Sequence, residues 1–440
     1  MTAVSSADLE LRRTVEALDK QYLWHPYTEM GNWIDKSQPL VIKGATGSRL
    51  HDFDGRSFID GNASWWTSLL GHNHPRLVEA LVRQAPRLSH CSLAGMTHEP
   101  AARLAAELVA VAPAGLTHVF FSDDGSTAIE VAVKLAVQYW RQMGSPDRYR
   151  FVALDGAFHG ETLAPTALGG LAEFRRPFER IVMDVIHVPA GSSGIARAFA
   201  QLHEVLSQNA GSIAAVVIEP MLQGCAGMRL HSPGYLSELR KVTREFGVLL
   251  VADEVFTGYG RTGPFWACEH ADVVPDILCT AKGFSGGMLP MAATLAKEFV
   301  FQAFMGDKSR AFYYGHTFCG NPLGAAVARE VLNVYRDENI LEQAKPKAAR
   351  IAAAFAALSS RPYVSNARSL GMMGALDLVG DGGYFGESGW RVYEEALRRG
   401  AYLRPLGNVL YITPALNIPD ADLDELLEII NESLTAIFEK

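Results

Sequence analysis

One lysine stands directly after a short apolar run in the segment Asp276-Ile277-Leu278-Cys279-Thr280-Ala281-Lys282-Gly283. A second apolar run, Val248-Leu249-Leu250-Val251-Ala252, is followed by Asp253 a little earlier in the chain. We interpret both runs as buried strands whose ends place an amine beside a carboxylate. Such a pair suits imine chemistry with pyridoxal phosphate (PLP). The lysine bonds to the cofactor, and the carboxylate holds a proton on the pyridine nitrogen.

Composition narrows the class of protein around this pair. The chain has 440 residues, 48% of them hydrophobic, which is enough for a large core and two domains. The net charge is -8 and no basic block stands out, so nucleic acid or an anionic membrane is not expected as a partner. The widely spaced cysteines are Cys91, Cys225, Cys268, Cys279 and Cys319. These cysteines include no CxxC pair, which favours reduced thiols. Met1–Lys20 has no apolar leader, and together these features favour a cytoplasmic protein.

The middle of the chain alternates apolar runs with helical patterns, from about Pro75 to Ala325. This alternation predicts βαβ units and a mainly parallel sheet. The predicted strands are His118–Ser122, Arg150–Leu154, Ala214–Ile218, Val248–Ala252 and Ile277–Cys279, and helices are predicted at Ser126–Trp140 and Pro233–Glu245.

The sequence pattern at both ends of the chain differs from the alternation in the middle. Residues 1–20 are loose or helical, and the short strands that follow are predicted at Leu40–Ile42, Arg49–Asp52 and Ser57–Asp60. A long helix begins after Asn321-Pro322, and the last element is an amphipathic helix, Asp422–Phe438. We predict an α/β fold in three parts. They are a segment 1–74 that joins the small domain and walls the active site, a large domain 75–325, and a small α+β domain 326–440.

A phosphate site is indicated where Asp123-Asp124-Gly125-Ser126-Thr127 opens a predicted helix. Free N–H groups and the positive end of the helix dipole suit a phosphate, and Gly125 permits close approach. Simple helix capping is the alternative. Glu219 ends another predicted strand, either facing the ligand-binding edge of the sheet or serving as a buried hydrogen-bonding partner.

Three other motifs could indicate a different function, and we do not favour any of them. The loop Gly258-Tyr259-Gly260-Arg261-Thr262-Gly263 fits G-x-G-x-x-G, but Pro264-Phe265-Trp266 follows where a dinucleotide site needs a helix. A nicotinamide oxidoreductase would rest on this pattern alone. Asp253-Glu254 and His72-Asn73-His74 lack further ligands at metal-site spacing, so no metal is predicted, and His72 and His74 are expected in turn and cap roles.

Two aromatic clusters near the N-terminus could form the wall of a binding pocket. Tyr22–Tyr27 and Ser64–Thr67 are core or interface in most proteins, but their loop-like surroundings also suit a binding pocket. Arg404, in Leu403-Arg404-Pro405, is either an exposed surface residue or a clamp for a carboxylate.

Together, the run Asp253 to Gly263 and the pair Lys282-Gly283 resemble the class III aminotransferases, which are PLP enzymes of fold type I. The resemblance covers nearly the whole chain and implies a homodimer with shared active sites acting on small molecules. It implies that Lys282 and Asp253 are catalytic. PLP would be held by both of these and by Gly125, Ser126, Phe158, His159, His316 and Thr317. Substrate would contact Tyr27, Trp65, Trp66, Phe158, Gly315 and Arg404, with Gly315, His316 and Thr317 supplied by the partner subunit.

Within that family, several segments are similar to the branch that aminates 8-amino-7-oxononanoate in biotin synthesis, with S-adenosylmethionine as the expected donor. These segments include Leu23 to Thr28, Asp60 to Trp66 and Leu403 to Pro405. Phe158 and His316 depart from that branch, which usually has tyrosine and proline there. Lysine as the donor, or an ω-amine or diamine:pyruvate transaminase, therefore stays open. A non-catalytic protein with this fold is disfavoured because Lys282 and Asp253 are both retained.

Overall fold

The computed structural model describes residues 5–380 and 383–439. The strands are β1 (Ile42–Thr46), β2 (Arg49–Asp52), β3 (Ser57–Asp60), β4 (Leu116–Ser122), β5 (Arg150–Leu154), β6 (Val185–Val188), β7 (Ile213–Ile218), β8 (Leu222–Gln223), β9 (Arg229–Leu230), β10 (Leu249–Asp253), β11 (Ile277–Thr280), β12 (Ala292–Lys297), β13 (Val364–Leu370), β14 (Met373–Leu378), β15 (Ala401–Tyr402) and β16 (Val409–Ile412).

The α-helices are α1 (Ser6–Tyr22), α2 (Met30–Asp35), α3 (Ala63–Trp66), α4 (Pro75–Gln84), α5 (Glu99–Val111), α6 (Gly125–Gln142), α7 (Leu163–Leu168), α8 (Ala172–Arg175), α9 (Ile195–Asn209), α10 (Tyr235–Glu245), α11 (Glu298–Gln302), α12 (Pro322–Asp337), α13 (Ile340–Leu358), α14 (Ser388–Arg399) and α15 (Asp420–Phe438). Within the described residues, no helix has both the length and the apolar character needed to span a membrane.

A seven-stranded sheet forms the centre of the molecule, in the order β4-β12-β11-β10-β7-β5-β6. All neighbouring pairs are parallel except those of β12, which runs antiparallel to both β11 and β4. The predicted α/β fold with a mainly parallel sheet is confirmed, and every strand predicted for it lies in this sheet with small shifts at its ends.

Helices cover both faces of this sheet, which explains its continuous apolar strands. Phe151 and Ala153 belong to the cluster packed under α6, whereas Val152 and Leu154 belong to the cluster packed under α9 and α10. All six residues of β7 are buried. Strands covered on both faces carry apolar residues at every position rather than at alternate ones.

Two smaller sheets combine segments that are distant in sequence. The hairpins β1-β2-β3 are joined by β15, which pairs with β3 in parallel, and β13-β14-β16 form a separate antiparallel sheet. The predicted strand Leu40–Ile42 is wrong, because β1 begins at Ile42 and runs to Thr46. The turn at Gly47, with φ of +58°, closes the hairpin so that Thr46 pairs with Arg49, and this fixes the register. The division at residues 74 and 325 stays a prediction.

The glycine-rich loop 258–263 leads into further turns and not into an α-helix, as its sequence indicated. Its Arg261 is completely buried and donates to the carbonyl oxygens of Met372 (3.2 Å) and Pro414 (2.8 Å). Burial lowers the pKa of this guanidinium to about 10. The loop therefore contacts the C-terminal part of the chain through a buried cation.

Candidate active site

A cavity of about 520 Å³ opens at the carboxyl edge of the large sheet. Polar residues that follow strand ends converge on it, including Asp253 at the end of β10 and Glu219 directly after β7. Ligands bind at this edge in open α/β sheets because the loops after parallel strands meet there. We divide the wall into two parts. The sheet end is Gly125, Ser126, His159, Asp253 and Lys282, and the aromatic end is Tyr27, Trp65, Phe158, Phe174, Tyr384 and Arg404.

Lys282 begins a short 3-10 turn just after β11 and has φ of +48°, a backbone region that favours glycine. Its amine lies 5.0 Å from the centre of the Trp66 ring. Within the described residues, no carboxylate lies within salt-bridge distance of this amine. Burial lowers the pKa of Lys282, so the neutral, nucleophilic amine is more accessible than in free lysine.

Asp253 and His159 form a buried pair at the floor of the cavity. The Nδ1 of His159 donates to Oδ2 of Asp253 at 2.7 Å, and the amide of Val255 donates to Oδ1 at 3.0 Å. Burial alone would lower the pKa of His159, but the hydrogen bond to Asp253 and its charge raise it overall. The Nε2 atom of His159 is buried and has no hydrogen-bond partner within the described residues. The Asp253 carboxylate is therefore held in one orientation.

Glu219 performs both of the roles considered for it. It lines the cavity, and its carboxylate accepts hydrogen bonds from the amides of Phe158 (3.0 Å) and Gly224 (2.9 Å). Burial, as the largest cause, raises the pKa of Glu219 to about 7. This carboxylate positions the loop that carries Phe158 and His159.

The N-terminus of α6 faces the cavity, and the residue that caps this helix is Asp124. The Asp124 side chain accepts from the Thr127 amide at 2.8 Å, which leaves Gly125 and Ser126 without a capping task. Amides in the first turn of a helix have no acceptor one turn earlier. A Cβ atom on Gly125 would lie 2.7 Å from Cγ1 of Val255, so the backbone comes this close only as glycine. This arrangement suits an anion such as phosphate.

The aromatic end is built from rings that meet edge to face. Tyr27 lies 5.2 Å from Trp65 and 5.8 Å from Phe174, and Phe174 lies 5.1 Å from Tyr384, measured between ring centres. The Tyr27 hydroxyl donates to Oε1 of Glu161 at 2.6 Å. Burial and this carboxylate raise the pKa of Tyr27 well above its usual value. These rings form an apolar wall with one carboxylate at its rim.

Arg404 is half-buried at the same end, with its guanidinium carbon 4.6 Å from the centre of the Trp65 ring. Its backbone amide donates to Oδ1 of Asn62 at 2.6 Å. A guanidinium stacked on an aromatic ring keeps its donors free for a planar anion.

The short element α3 is not a regular right-handed helix, and the two tryptophans reach the cavity from this unusual backbone turn. Ala63, Ser64, Trp65 and Trp66 have φ of 46°, 45°, 64° and 75°, and the amide of Trp66 donates to the carbonyl of Asn62 at 2.8 Å. Left-handed helical backbone costs about 1–2 kcal/mol for each non-glycine residue. Such strain persists only when the surroundings hold it, and it is concentrated at functional sites. Trp66 is buried and packs against Phe256, whereas Trp65 is partly exposed to the cavity.

The segment Gly315-His316-Thr317 does not line the cavity of its own chain. His316 Nδ1 donates to Oδ2 of Asp123 at 2.8 Å, and its other ring nitrogen accepts from the Tyr314 hydroxyl at 2.9 Å. Asp123, His316 and Cys319 have atoms within 4.8 Å of one another, the spacing of a candidate metal site. Both His316 ring nitrogens are already hydrogen-bonded, so the geometry gives no reason to place a metal there.

Sequence reasoning missed several wall residues, among them Phe174, Cys225 and Tyr384. Phe174 lies in the short helix α8 and Tyr384 in a single 3-10 turn, and neither segment carries a motif. Glu161 lies two residues after His159, and this closeness to the predicted Phe158 and His159 is a local signal that could have identified it. His74 lies at the N-cap position of α4, and His72 hydrogen-bonds to Asp60 at 2.8 Å.

Comparison with known sequences gives a consistent result. The profile of the family "Aminotransferase class-III" matches residues 32–434. Two relatives are called adenosylmethionine-8-amino-7-oxononanoate aminotransferase. The one from Synechococcus elongatus is 41% identical and covers 94% of this chain and 99% of its own length. The one from Nitratidesulfovibrio vulgaris is 40% identical, and the match covers 97% of this chain and 82% of the relative.

Solved structures agree with the sequence relatives. The enzyme of the same name from Methanocaldococcus jannaschii has a TM-score of 0.93 and 32% identity, covering 97% of this chain and 100% of that one. An amine transaminase from an uncultivated Pseudomonas species, solved in its PLP-bound form, has a TM-score of 0.89 and 28% identity, covering 94% and 99%.

Proposed function

This chain belongs to the class-III aminotransferases, and on that premise we propose that it uses PLP to convert 8-amino-7-oxononanoate to 7,8-diaminononanoate in biotin synthesis. One observation carries the proposal. A single cavity joins the Lys282 amine and the Asp253 carboxylate at one end to the Arg404 guanidinium at the other. An acceptor with a carbonyl near one terminus and a carboxylate at the other matches that arrangement.

The residues at the sheet end fit PLP. The cavity offers a free amine, a fixed buried carboxylate, a helix N-terminus for the phosphate and an unpartnered buried nitrogen on His159. Gly125 and Ser126 would hold the phosphate, Asp253 the pyridine nitrogen and Lys282 the aldehyde carbon. Bound PLP supplies the electron sink that allows a carbon–hydrogen bond beside an amine to break.

The protein's own groups then direct the proton transfer. Lys282, whose pKa is lowered by burial, would accept a proton from the substrate carbon on its Nζ atom and would donate it again as general acid. Asp253 is held in one orientation because His159 and the Val255 amide bind its two oxygens. A preorganised charge of this kind needs no reorganisation during the reaction.

The aromatic end would recognise the acceptor. Arg404 would bind the substrate carboxylate through paired hydrogen bonds, and the face of Trp65 would cover the methylene chain. Trp66 and Phe158 also line the cavity. The arrangement favours a substrate whose reactive carbon and carboxylate are separated by an apolar chain.

S-adenosylmethionine is the donor that we propose, supported by the names of the two relatives. Lysine, or an ω-amine that reacts with pyruvate, is the second candidate. It is favoured by Phe158, which offers no hydroxyl to orient the donor, and by the likeness to an amine transaminase.

Donor half-reactions decide between these candidates. The purified PLP-loaded enzyme is mixed with S-adenosylmethionine, lysine or alanine, and conversion of the cofactor is followed by its absorbance. We expect S-adenosylmethionine to convert it, and added 8-amino-7-oxononanoate to restore the starting spectrum. If only alanine or a simple amine converts the cofactor, the assignment to biotin synthesis fails.

We further propose that the enzyme is a homodimer with shared active sites. We also propose that it is cytoplasmic. The segment Gly315-His316-Thr317 lies between Tyr313 and Phe318, two residues that are 81% and 58% exposed in the single chain. These exposed rings support burial of the segment against a second copy, whose Thr317 would reach the phosphate. Mixing inactive Lys282→Ala and Thr317→Ala proteins should restore activity through hybrid dimers that carry one intact site. Two inactive proteins that stay inactive on mixing would contradict shared sites.

A further inference from the structure

Asp60 lies outside the cavity, at the end of β3, yet it holds the turn that carries the two tryptophans. It is only 2% exposed. Its Oδ2 accepts from the Ser64 amide (2.7 Å), the Ser64 hydroxyl (3.0 Å) and Nε2 of His72 (2.8 Å), and its Oδ1 accepts from the Asn62 amide at 3.2 Å. One carboxylate thus accepts four hydrogen bonds around the start of a left-handed turn.

The turn depends on this carboxylate because its own sequence does not favour its backbone. Ala63 to Trp66 contains no glycine, and all four residues have positive φ. The hydrogen bonds to Asp60 fix the first half of the turn, and Trp66 fixes the second half by donating from Nε1 to the Tyr411 hydroxyl at 3.1 Å. Trp65, between these two anchors, has its direction set by both.

Two connections run from this turn to Arg404. The Trp65 ring lies under the guanidinium, at 4.6 Å. Asn62, which is 1% exposed, accepts from the Arg404 amide through Oδ1 at 2.6 Å and donates from Nδ2 to the Tyr411 carbonyl at 3.4 Å. Both the side chain and the backbone of Arg404 are therefore placed by groups that Asp60 orders.

We propose that Asp60 and Asn62 are positioning residues for the Arg404 clamp, and that they set the preference for acceptors with a carboxylate at the far end of the chain. The inference rests on the proposed function in one respect, the role of Arg404 as the carboxylate site. Neither residue lines the cavity, so their effect would pass through Trp65 and Arg404.

Asp60→Asn is the first test, because amide for carboxylate keeps the size of the side chain but removes an acceptor and the charge. Acceptor kinetics are measured with 8-amino-7-oxononanoate and with 2-aminononan-3-one, which has the same chain without the carboxylate. We expect kcat/KM for the carboxylate substrate to fall about ten- to a hundredfold, mainly through KM. The amino ketone should change by less than about threefold, since it never uses the clamp.

Asp52 provides a matched control. It is also a buried carboxylate at a strand end of the same sheet, 4% exposed, and it accepts from the amides of Asp54 and Arg56. Asp52→Asn should weaken the fold without changing the ratio between the two acceptors. Equal losses on both acceptors for Asp60→Asn, or no loss on either, would overturn the proposal. If Asp60→Asn does not fold, Asn62→Ala is measured in the same way, with the same expected ratio.

A binding measurement separates this proposal from the proposed function. If the wild-type enzyme does not aminate 8-amino-7-oxononanoate, the proposed function fails, and nonanoate binding is measured by quenching of tryptophan fluorescence. Asp60→Asn should weaken nonanoate binding about tenfold or more relative to wild type. Unchanged affinity in the variant, or no nonanoate binding to wild type, would overturn the positioning role.

Discussion

At the sheet end of the cavity, Asp253 and His159 are fixed by buried hydrogen bonds, whereas the aromatic end is assembled from rings on segments that are distant in sequence. Asp253 has both oxygens occupied. Tyr27, Phe174 and Tyr384 meet mainly through ring edges at 5–6 Å, as in the 5.8 Å Tyr27–Phe174 contact. The difference indicates that the chemistry depends on the rigid sheet, whereas selectivity depends on contacts that a few substitutions can alter.

The comparison is tested most strongly at Lys282. Lys282→Ala removes the amine that binds the cofactor and moves the proton, so turnover should fall by about 10²–10⁴-fold or more. Steady-state turnover measures the loss, and the visible cofactor band that borohydride removes should disappear. Lys297→Ala is the control, because Lys297 is also partly buried at a strand end but pairs with Asp276 at 3.0 Å. Normal turnover by Lys282→Ala would contradict a chemical role for the sheet end.

Asp253→Asn tests the fixed carboxylate beside it. Loss of its charge should lower kcat about 10²–10³-fold with little change in KM, because the stabilisation acts in the transition state. Asp276 is the matched buried carboxylate, paired with Arg240 at 2.7 Å away from the cavity. Asp276→Asn should instead cost about 3–5 kcal/mol of folding stability and leave kcat nearly unchanged. Similar kcat values for Asp253→Asn and wild type would show that the sheet end does not depend on this charge.

At the aromatic end the effects should appear in binding. Arg404→Met should raise the KM for 8-amino-7-oxononanoate about ten- to a hundredfold, equal to about 1.4–2.8 kcal/mol, with kcat within a few-fold of wild type. Arg391 is a suitable control, since its guanidinium lies 5.8 Å from the Phe438 ring and outside the cavity lining. A large fall in kcat with an unchanged KM would indicate that Arg404 acts in the chemical step and not in substrate binding.

The smallest expected effect concerns the donor. Phe158→Tyr adds a hydroxyl beside the cavity, and one hydrogen bond contributes about 0.5–1.5 kcal/mol. We expect kcat/KM for S-adenosylmethionine to rise about three- to tenfold in donor half-reactions, with lysine affected less. Phe174→Tyr, which places a hydroxyl elsewhere in the same wall, should not reproduce this gain. A gain for lysine alone would favour lysine as the natural donor.

The same contrast explains what could be predicted from the sequence. Lys282, Asp253 and Gly125-Ser126 follow local apolar runs, so their convergence at one sheet edge follows from the rules of parallel sheets. Phe174 and Tyr384 lie in short turns without a motif, and only the folded chain brings them together. β12 was not predicted, because its sequence Ala292-Ala293-Thr294-Leu295-Ala296-Lys297 lacks the β-branched run of its neighbours.

The left-handed turn lies beyond local prediction for a different reason. Ala63-Ser64-Trp65-Trp66 contains no glycine or asparagine to indicate positive φ, and the conformation is held by Asp60 and by Tyr411, far along the chain. Tertiary contacts here override the preference of the local sequence. The sequence Trp65-Trp66 could be recognised as a marker of the family, but the backbone conformation of these residues could not be predicted from it.

Arg261 has a consequence for how the molecule unfolds. Its buried guanidinium donates from Nη1 to the carbonyl oxygens of Met372 and Pro414. Pulling the C-terminal part of the chain away from the glycine-rich loop would leave a cation in an apolar environment with no acceptors, which is far more costly than opening an ordinary apolar contact. The two parts are therefore coupled in denaturation, and we expect a single cooperative melting transition that splits into two when Arg261 is replaced by methionine.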